Sequence, residues 1–336
     1  MKQAGILCAS ALALTVSATI GAVEIRYTHG VDTDSAHHWL AERFKEKVEE
    51  YTDGEVTVRI FPDGQLGSEQ RGYQDVQNRV VQATSLAVNN ATVFSPSVGF
   101  FDLPYIFTDR SEFHIVVDEM MDELNEAMIE ESGVRAIMWF DQGFRHLTTS
   151  ERAGPVRNIN DIQGKTIRVP QNPLMLGAFR AWGANPTPIA WDETFNALQQ
   201  GVADGQENPH SVNYAARFDE VQKYITDLHY KLWIGPVVVN EDWLNGLDEA
   251  HREAILRAGM EAMMDQREEQ DRIDQEALSN LLERGMEHLG PLEDEDEWIE
   301  RALTIWPDFF DEIGGTRFLE RAMEIMGRSD EMPDEA

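Results

Sequence analysis

The chain has 336 residues, of which 42% are hydrophobic, and its 61 acidic and 28 basic side chains give a formal net charge of −33. This apolar content is enough for a large core and argues against intrinsic disorder, and the length suggests about two domains. The charge argues against nucleic acid or anionic membranes as partners, because both attract positive surfaces. So acidic a surface is typical of proteins in concentrated salt, where screening weakens self-repulsion.

The first 22 residues have the pattern of a secretory signal peptide. Lys2 supplies a positive n-region, Ala4 to Ala22 is an uncharged run, and Ile20-Gly21-Ala22 approximates a small-residue cleavage site. A retained anchor is the alternative, since the run approaches the length of a bilayer span. The one cysteine, Cys8, lies inside this run, so removal of residues 1–22 leaves no thiol for a disulfide or a metal site. We expect an exported, soluble protein of the periplasm.

Strand and helix patterns alternate after the signal. Apolar and polar residues alternate in 23–27 and in 56–60, and residues with helical spacing follow each of these segments. A short apolar strand at 83–88 completes a β-α-β-α-β order, which predicts a mostly parallel sheet flanked by helices. Ligands bind beyond the carboxyl ends of such strands, which indicates His29 and Asn89 as residues at the edge of a pocket.

A second α/β region begins near Gly143. From Leu247 to Glu283 the pattern predicts one long charged helix, and the polar residues 331–336 are expected to form a frayed end. The elements predicted between these points are strands at 165–169, 185–190, 225–230 and 237–240, and helices at 174–182 and 192–200.

Motifs of nucleotide binding and of common hydrolases are absent from the sequence. There is no phosphate loop, no Gly-x-Gly-x-x-Gly after a strand and no Gly-x-Ser-x-Gly. His37 and His38 are adjacent on a predicted helix, where they point about 100° apart and make a poor metal clamp. We therefore expect no cofactor and no bound metal, and nothing in the sequence nominates a catalytic group.

Three residues between 166 and 209 have chemistry suited to a small ligand. Arg168 alternates with apolar residues in a predicted strand, and its guanidinium suits either a ligand carboxylate or an ion pair within the protein. Asn208 lies in a polar turn, where its amide suits an anion or a helix cap. Trp191 precedes Asp192, a candidate N-cap, and suits either the core or a wall against which a ligand stacks.

Seven segments together resemble the substrate-binding subunit of tripartite ATP-independent periplasmic (TRAP) transporters. The likeness extends in order over the whole chain after the signal, and it implies an extracytoplasmic binding protein with an α/β fold of two lobes that close on a ligand. The segments are Phe61-Pro62-Asp63-Gly64-Gln65-Leu66-Gly67, Asp102-Leu103-Pro104-Tyr105-Ile106-Phe107, Gly143-Phe144-Arg145, Gly164-Lys165-Thr166-Ile167-Arg168-Val169-Pro170, Gly183-Ala184-Asn185-Pro186-Thr187-Pro188, Ala197-Leu198-Gln199-Gln200-Gly201 and Asp204-Gly205-Gln206-Glu207-Asn208-Pro209.

The resemblance implies a role for each candidate in the second lobe. Arg168 is expected to form a two-point salt bridge with the substrate carboxylate, and Asn208 to donate a hydrogen bond to the same group. Arg145 is expected to add a second contact, although its spacing to Arg168 is slightly long for the family. Trp191 occupies a position where relatives place an aromatic wall.

The resemblance also implies how the lobes are assembled. Asn89 and His29 are expected on first-lobe loops that face the cleft, and the long helix near 247–283 is expected to bridge both lobes. The expected division is 1–22 signal peptide, 23–145 with about 234–273 lobe I, 146–233 with about 274–330 lobe II, and 331–336 tail.

The expected function is capture of a small organic acid and its delivery to the membrane subunits of a TRAP transporter, by a monomer that is not an enzyme. Two arginines and several polar candidates indicate a hydroxylated or sugar acid, such as an aldonate or uronate, and dicarboxylates remain open. Because of Trp191, a zwitterionic compatible solute such as ectoine is an alternative. An exported enzyme acting on small acids is a further alternative, and a signalling module that presents its ligand to a sensor kinase is a third.

Overall fold

The computed structural model describes residues 23–333. The predicted signal peptide and the last three residues of the predicted tail lie outside this range. Within it, the strands are β1 Val23–Thr28, β2 Val56–Phe61, β3 Ala83–Ser85, β4 Val134–Phe144, β5 His146–Thr149, β6 Thr166–Val169, β7 Asn185–Pro188, β8 Gly205–Asn208, β9 Tyr224–Asp227, β10 Leu232–Asn240 and β11 Glu287–Pro291.

The α-helices lie between the strands and after them. Among the described residues, none combines the length and the apolar character needed to cross a membrane. The helices are α1 Ala36–Tyr51, α2 Glu69–Gln77, α3 Val88–Ala91, α4 Arg110–Ser132, α5 Pro173–Ala181, α6 Trp191–Gln199, α7 His210–Ala215, α8 Glu241–Asn245, α9 Glu249–Glu283, α10 Glu295–Leu303 and α11 Arg317–Met326.

The first lobe is built on a five-stranded sheet in the order β2-β1-β3-β10-β4. Strands β1, β2 and β3 are parallel, as predicted, but β10 runs antiparallel to both β3 and β4. The expectation of a mostly parallel sheet is therefore wrong for half of this sheet. The cause is β10, which comes late in the sequence, after the first part of the second lobe. Its nine residues are all buried, and it is inserted between β3 and β4.

The second lobe is built on a six-stranded sheet in the order β11-β9-β5-β8-β6-β7. It is also mixed, since β5 is antiparallel to both of its neighbours while β6 is parallel to β7 and β8. Its core contains Ile167 and Val169 of β6, and also Phe179, Trp182 and Trp298 from helices. Because the side chains of a strand alternate between faces, the core position of Ile167 and Val169 turns Arg168 to the other face of the sheet.

Helix α9 connects the two lobes. The side chain of Asp248 caps its start by accepting a hydrogen bond from the His251 backbone N–H at 3.0 Å. The helix is 35 residues long and packs on α1 and β4 of the first lobe and on α7 of the second. This agrees with the long bridging helix expected from the sequence.

The segment after α10 packs differently from the expected division into lobes. Trp306, Ile313 and Leu319 belong to the core of the first lobe, and α11 lies against α4. The sequence predicts residues 306–326 in the second lobe, and the structure places them on the first. Their amphipathic pattern shows that one face is buried but contains no signal for which lobe buries it.

The chain also crosses between the lobes at two neighbouring points. Strand β4 leads through Arg145 directly into β5, and β10 begins close to the same point. The backbone N–H of Arg145 donates to the carbonyl oxygen of Lys231 at 2.9 Å, so the two crossings are joined by a hydrogen bond. This junction forms the floor of the space between the lobes.

Candidate ligand-binding site

A cavity of about 390 Å³ lies between the two lobes, a size suited to a small molecule. The first lobe contributes the loop after β1, the start of α2 and the loop after β3. The second lobe contributes β6, the start of α6 and the end of β8. Five of the six residues predicted from the sequence lie in or near its wall, namely Asn89, Arg145, Arg168, Trp191 and Asn208.

Arg168 is a buried cation with no anionic partner within reach. Its guanidinium donates to the carbonyl oxygen of Ile189 twice, from Nε at 3.0 Å and from Nη2 at 2.8 Å. No described carboxylate comes within salt-bridge distance, and Nη1 has no hydrogen-bond partner among residues 23–333. Burial lowers the pKa of Arg168 to about 10, which still leaves it protonated at neutral pH. An unpaired buried charge is costly, and an anionic ligand would compensate it.

Arg145 lines the same cavity but already has an anionic partner. Its Nη2 donates to Oε1 of Glu207 at 2.9 Å and to the carbonyl oxygen of Glu207 at 3.0 Å, and its Nε donates to Oε2. Burial alone would lower the pKa of Arg145, but the charge of Glu207 raises it above its usual value. The second ligand contact expected of Arg145 is thus weakened, because its charge is neutralised within the protein.

Asn208 ends β8 and lines the cavity beside Arg168. Its Nδ2 donates to Oε1 of Gln206 at 2.6 Å, and Asn213 donates to its backbone oxygen at 3.0 Å. Its side chain does not cap α7, which begins after Pro209 without a side-chain cap. Of the two possibilities from the sequence, the helix cap is wrong. Contact with an anion stays a prediction, compatible with the position in the cavity wall.

Trp191 packs on a small core cluster and also lines the cavity, and its contact with a ligand stays a prediction. Its ring packs against a small core cluster, 5.8 Å from the ring of Phe218, and the guanidinium carbon of Arg168 lies 5.8 Å from its centroid. This distance is within the range of a cation–π contact. Helix α6 begins at Trp191 with Ala190 as N-cap, so the N-cap expected at Asp192 is wrong by two residues.

Two buried amides line the cavity without protein partners. Nδ2 of Asn89, and both Oε1 and Nε2 of Gln142, have no hydrogen bond within residues 23–333. Buried amide groups without partners are uncommon, and a ligand with donors and acceptors would satisfy them. The sequence indicates Asn89 through its position after a predicted strand. It gives no such signal for Gln142, which lies inside β4, because the length of that strand is not visible in the sequence pattern.

His29 does not line the cavity, and its predicted place in the cleft is wrong. It directly follows β1 and continues the alternation of Ile25 and Tyr27. The ring of Tyr27 packs on Phe44 of α1, and the His29 ring is buried on the same side, against Tyr27. Its Nε2 lies 3.0 Å from Nδ1 of His38, and its ring stacks on His37. The cavity is lined instead by the next residues of that loop, Gly30 and Val31.

A second cluster of titratable groups lies outside the cavity, at His146, His210 and Asp227. Their potential ligand atoms all lie within 4.8 Å of one another. The two imidazole rings are parallel, however, at 3° and 3.9 Å between centroids. Nitrogen lone pairs lie in the plane of each ring, so those of parallel stacked rings do not converge on one ion. The geometry describes a packed imidazole pair rather than a metal clamp.

The cavity and the two-lobed fold match a known family. The model of bacterial extracellular solute-binding protein family 7 matches residues 27–313. This chain belongs to that family. It is therefore an extracytoplasmic solute-binding protein, and the resemblance to TRAP substrate-binding subunits is confirmed.

Individual relatives agree with this assignment. The 2,3-diketo-L-gulonate-binding periplasmic protein YiaO of Escherichia coli is 28% identical over 84% of this chain and 85% of its own length. The C4-dicarboxylate-binding periplasmic protein DctP of Rhodobacter capsulatus is 31% identical over 76% of this chain and 75% of its own. An open, ligand-free crystal structure of a TRAP periplasmic solute-binding protein from Rhodobacter sphaeroides is 38% identical, with a TM-score of 0.79, over 91% of this chain and 99% of that one.

Proposed function

We propose that the cavity captures a small organic acid and that Arg168 holds its carboxylate. The observation that carries this proposal is a buried guanidinium in the cavity wall that donates hydrogen bonds to only one acceptor among residues 23–333, the carbonyl oxygen of Ile189. A carboxylate placed there would gain a charge-assisted two-point interaction in a site largely shielded from water. Asn208 is adjacent and keeps one amide hydrogen for the same group.

The ligand class that the site supports best is a hydroxylated acid such as a sugar acid. Asn89 and Gln142 offer both donors and acceptors, and a hydroxyl group is able to satisfy either. One relative is named for binding the sugar acid 2,3-diketo-L-gulonate, whereas another is named for binding C4-dicarboxylates. A zwitterionic solute would pair its ammonium group with Glu69 in the first-lobe wall, but an ammonium group only donates and leaves the amide donors of Asn89 and Gln142 unpaired.

Capture and delivery follow from the two-lobed architecture. A ligand that contacts both lobes favours the closed arrangement, since it binds that state more tightly than the open one. We propose that the closed protein presents the ligand to TRAP membrane subunits as a monomer. We also propose that residues 1–22 are removed on export to the periplasm, which N-terminal sequencing of the exported protein would test.

A thermal-shift panel of organic acids on ligand-free protein tests the function. A ligand that binds only the folded state raises the unfolding midpoint, and calorimetry then gives its affinity. Recovery of the chemically unaltered acid at one equivalent after denaturation supports a receptor. Conversion of the acid to a product would favour the exported-enzyme alternative instead. Failure of every carboxylate to bind would overturn the proposal.

A further inference from the structure

Of the three carboxylates in the described lining of the cavity, Asp63 and Asp192 are exposed to solvent and Glu69 is partly buried. Glu69 is the first residue of α2 and lines the first-lobe wall, whereas Arg168 lines the wall of the second lobe. The two do not form a salt bridge within the described residues. Burial raises the pKa of Glu69, and the hydrogen bonds from Asn90 and Ala87 and the positive charges of Arg145 and Arg168 oppose that shift. The cavity therefore has a cationic end and an anionic end.

Glu69 is held in place through one of its two oxygens. Oε2 accepts hydrogen bonds from the backbone N–H of Ala87 at 3.2 Å and from Nδ2 of Asn90. Asn90 is itself fixed by Gln70, whose Nε2 donates to its Oδ1 at 2.6 Å. The other oxygen, Oε1, accepts no hydrogen bond from residues 23–333. A fixed carboxylate with one free oxygen is suited to accept a hydrogen bond from a ligand.

The neighbouring loop leaves space for this carboxylate. A Cβ atom at Gly30 would lie 3.3 Å from Cγ of Glu69 and 3.7 Å from its Oε1. A side chain at this position would press on the side chain of Glu69 and shift it by a few tenths of an ångström, so the glycine leaves room for the carboxylate.

A second ligand carboxylate would find no free cation in the described lining of the cavity. Arg145, the other arginine in the wall, is neutralised by Glu207, and the nearby Lys231 is buried in an ion pair with Asp102. At the end away from Arg168, a second carboxylate would instead meet Glu69. Like charges placed together in a shielded site cost binding free energy and are a common means of rejecting a competitor.

We propose that Glu69 is the residue that selects acids with a single carboxylate and a hydroxyl group at the other end, and that rejects dicarboxylates. Arg168 takes the carboxylate, and the free oxygen of Glu69 accepts a hydrogen bond from the distal hydroxyl. This inference rests on the proposed function, because it assumes that a carboxylate occupies the Arg168 end.

The test uses pairs of probes that differ at one end only. Galactonate and galactarate share a carbon chain and differ by a terminal hydroxymethyl or carboxylate, and a panel of other aldonates is paired with aldarates in the same way. Calorimetry on the full exported chain, freed of ligand by unfolding and refolding, should show aldonates binding about 100-fold more tightly than their partners. Glu69→Gln keeps the size of the side chain and one acceptor. In this variant the aldonate should bind less than about 10-fold more tightly than the aldarate, mainly because the affinity for the aldarate rises.

Asp63→Asn is the matched control. It removes another carboxylate from the first-lobe side of the cavity, but one exposed to solvent at the rim, where charges are screened. It should change the ratio less than about twofold. Asparagine also tolerates the positive φ of 55° at this position, so the loop keeps its conformation.

Failure of this inference is distinguishable from failure of the proposed function. Equal binding of aldonate and aldarate by the natural chain, or an unchanged ratio in Glu69→Gln, overturns the role of Glu69, whereas the proposed function stands as long as Arg168→Ala strongly weakens aldonate binding. Tight aldonate binding by Arg168→Ala overturns the proposed function instead. Preference for a zwitterion such as ectoine, or for succinate, over every aldonate overturns the selection of hydroxylated monocarboxylates. Absence of binding by the whole panel overturns both.

Discussion

The two lobes contribute unlike walls to one cavity. The second-lobe side carries both arginines of the described lining, Arg168 and the junction residue Arg145. The first-lobe side has no lysine or arginine and offers Glu69 and unpartnered amides. Both lobes are mixed α/β sheets, so the contrast lies in a few side chains and not in the architecture. A ligand that spans the gap must be anionic at one end and a hydrogen-bond donor at the other.

The two arginines themselves differ, and Arg145→Ala should have the largest effect on stability. It leaves Glu207 buried without its partner, so the free energy of unfolding should fall by about 3–5 kcal/mol in urea denaturation. Replacing both partners by apolar residues, as in Arg145→Met with Glu207→Leu, should recover part of the loss. Unchanged stability of Arg145→Ala would show that the ion pair is not a structural element.

Arg168→Ala should have the opposite profile. It removes the charge expected to bind the ligand carboxylate, so the affinity for an aldonate should fall by about 100- to 1000-fold in calorimetry. The stability of the ligand-free protein should be retained, because removal of this side chain leaves no buried carboxylate without a partner. Arg168→Lys is the control, because it keeps the charge but loses the two-point geometry, and it should lose less affinity. A stability loss as large as that of Arg145→Ala would remove the contrast between the two arginines.

Each lobe also buries histidines that resist protonation, which predicts acid sensitivity. Burial, aided by repulsion from neighbouring imidazoles, lowers the pKa of His29 to about 3 and of His210 to about 2. A neutral buried histidine contributes its full stability above the unfolded pKa of about 6.5, and the contribution declines as the pH falls below that value.

The free energy of unfolding should therefore decrease between pH 6 and pH 4, by about 1.4 kcal/mol per pH unit for each such histidine. In His210→Asn, the unfolding free energy should depend less steeply on pH over this range, by the amount expected for one histidine. This holds whatever the stability of the variant at pH 7. Denaturation at several pH values measures it. Identical slopes for the two proteins would show that His210 is protonated in the folded state.

Trp191→Ala should have the smallest effect of the four. The ring lies over Arg168 and is expected to border the ligand, and a cation–π contact is worth about 0.5–2 kcal/mol. Aldonate affinity should fall by about 3- to 30-fold. Trp191→Phe keeps an aromatic face and should retain most of the affinity. A loss equal to that of Arg168→Ala would indicate that the wall, and not the charge, dominates binding.

Most of the architecture could be predicted from local patterns. Alternation and helical spacing predicted β1, β2, β6 and the long helix α9, because one buried face imposes a period on the sequence. The pairing of β10 between β3 and β4, and the return of residues 306–326 to the first lobe, could not be predicted. Both depend on contacts between segments far apart in the chain, which leave no periodic signal.

The sequence by itself determined the family, the two lobes and five residues of the cavity wall, because ordered motifs and a lone arginine in an apolar strand are local features. The tertiary structure decided which charges are free. Arg145 is neutralised by Glu207, 62 residues along the chain, while Arg168 has a carbonyl oxygen in place of an anion. It also turned His29 away from the cavity and placed Glu69 opposite Arg168. Charge compensation depends on distance in space, and a sequence lists charges without their separations.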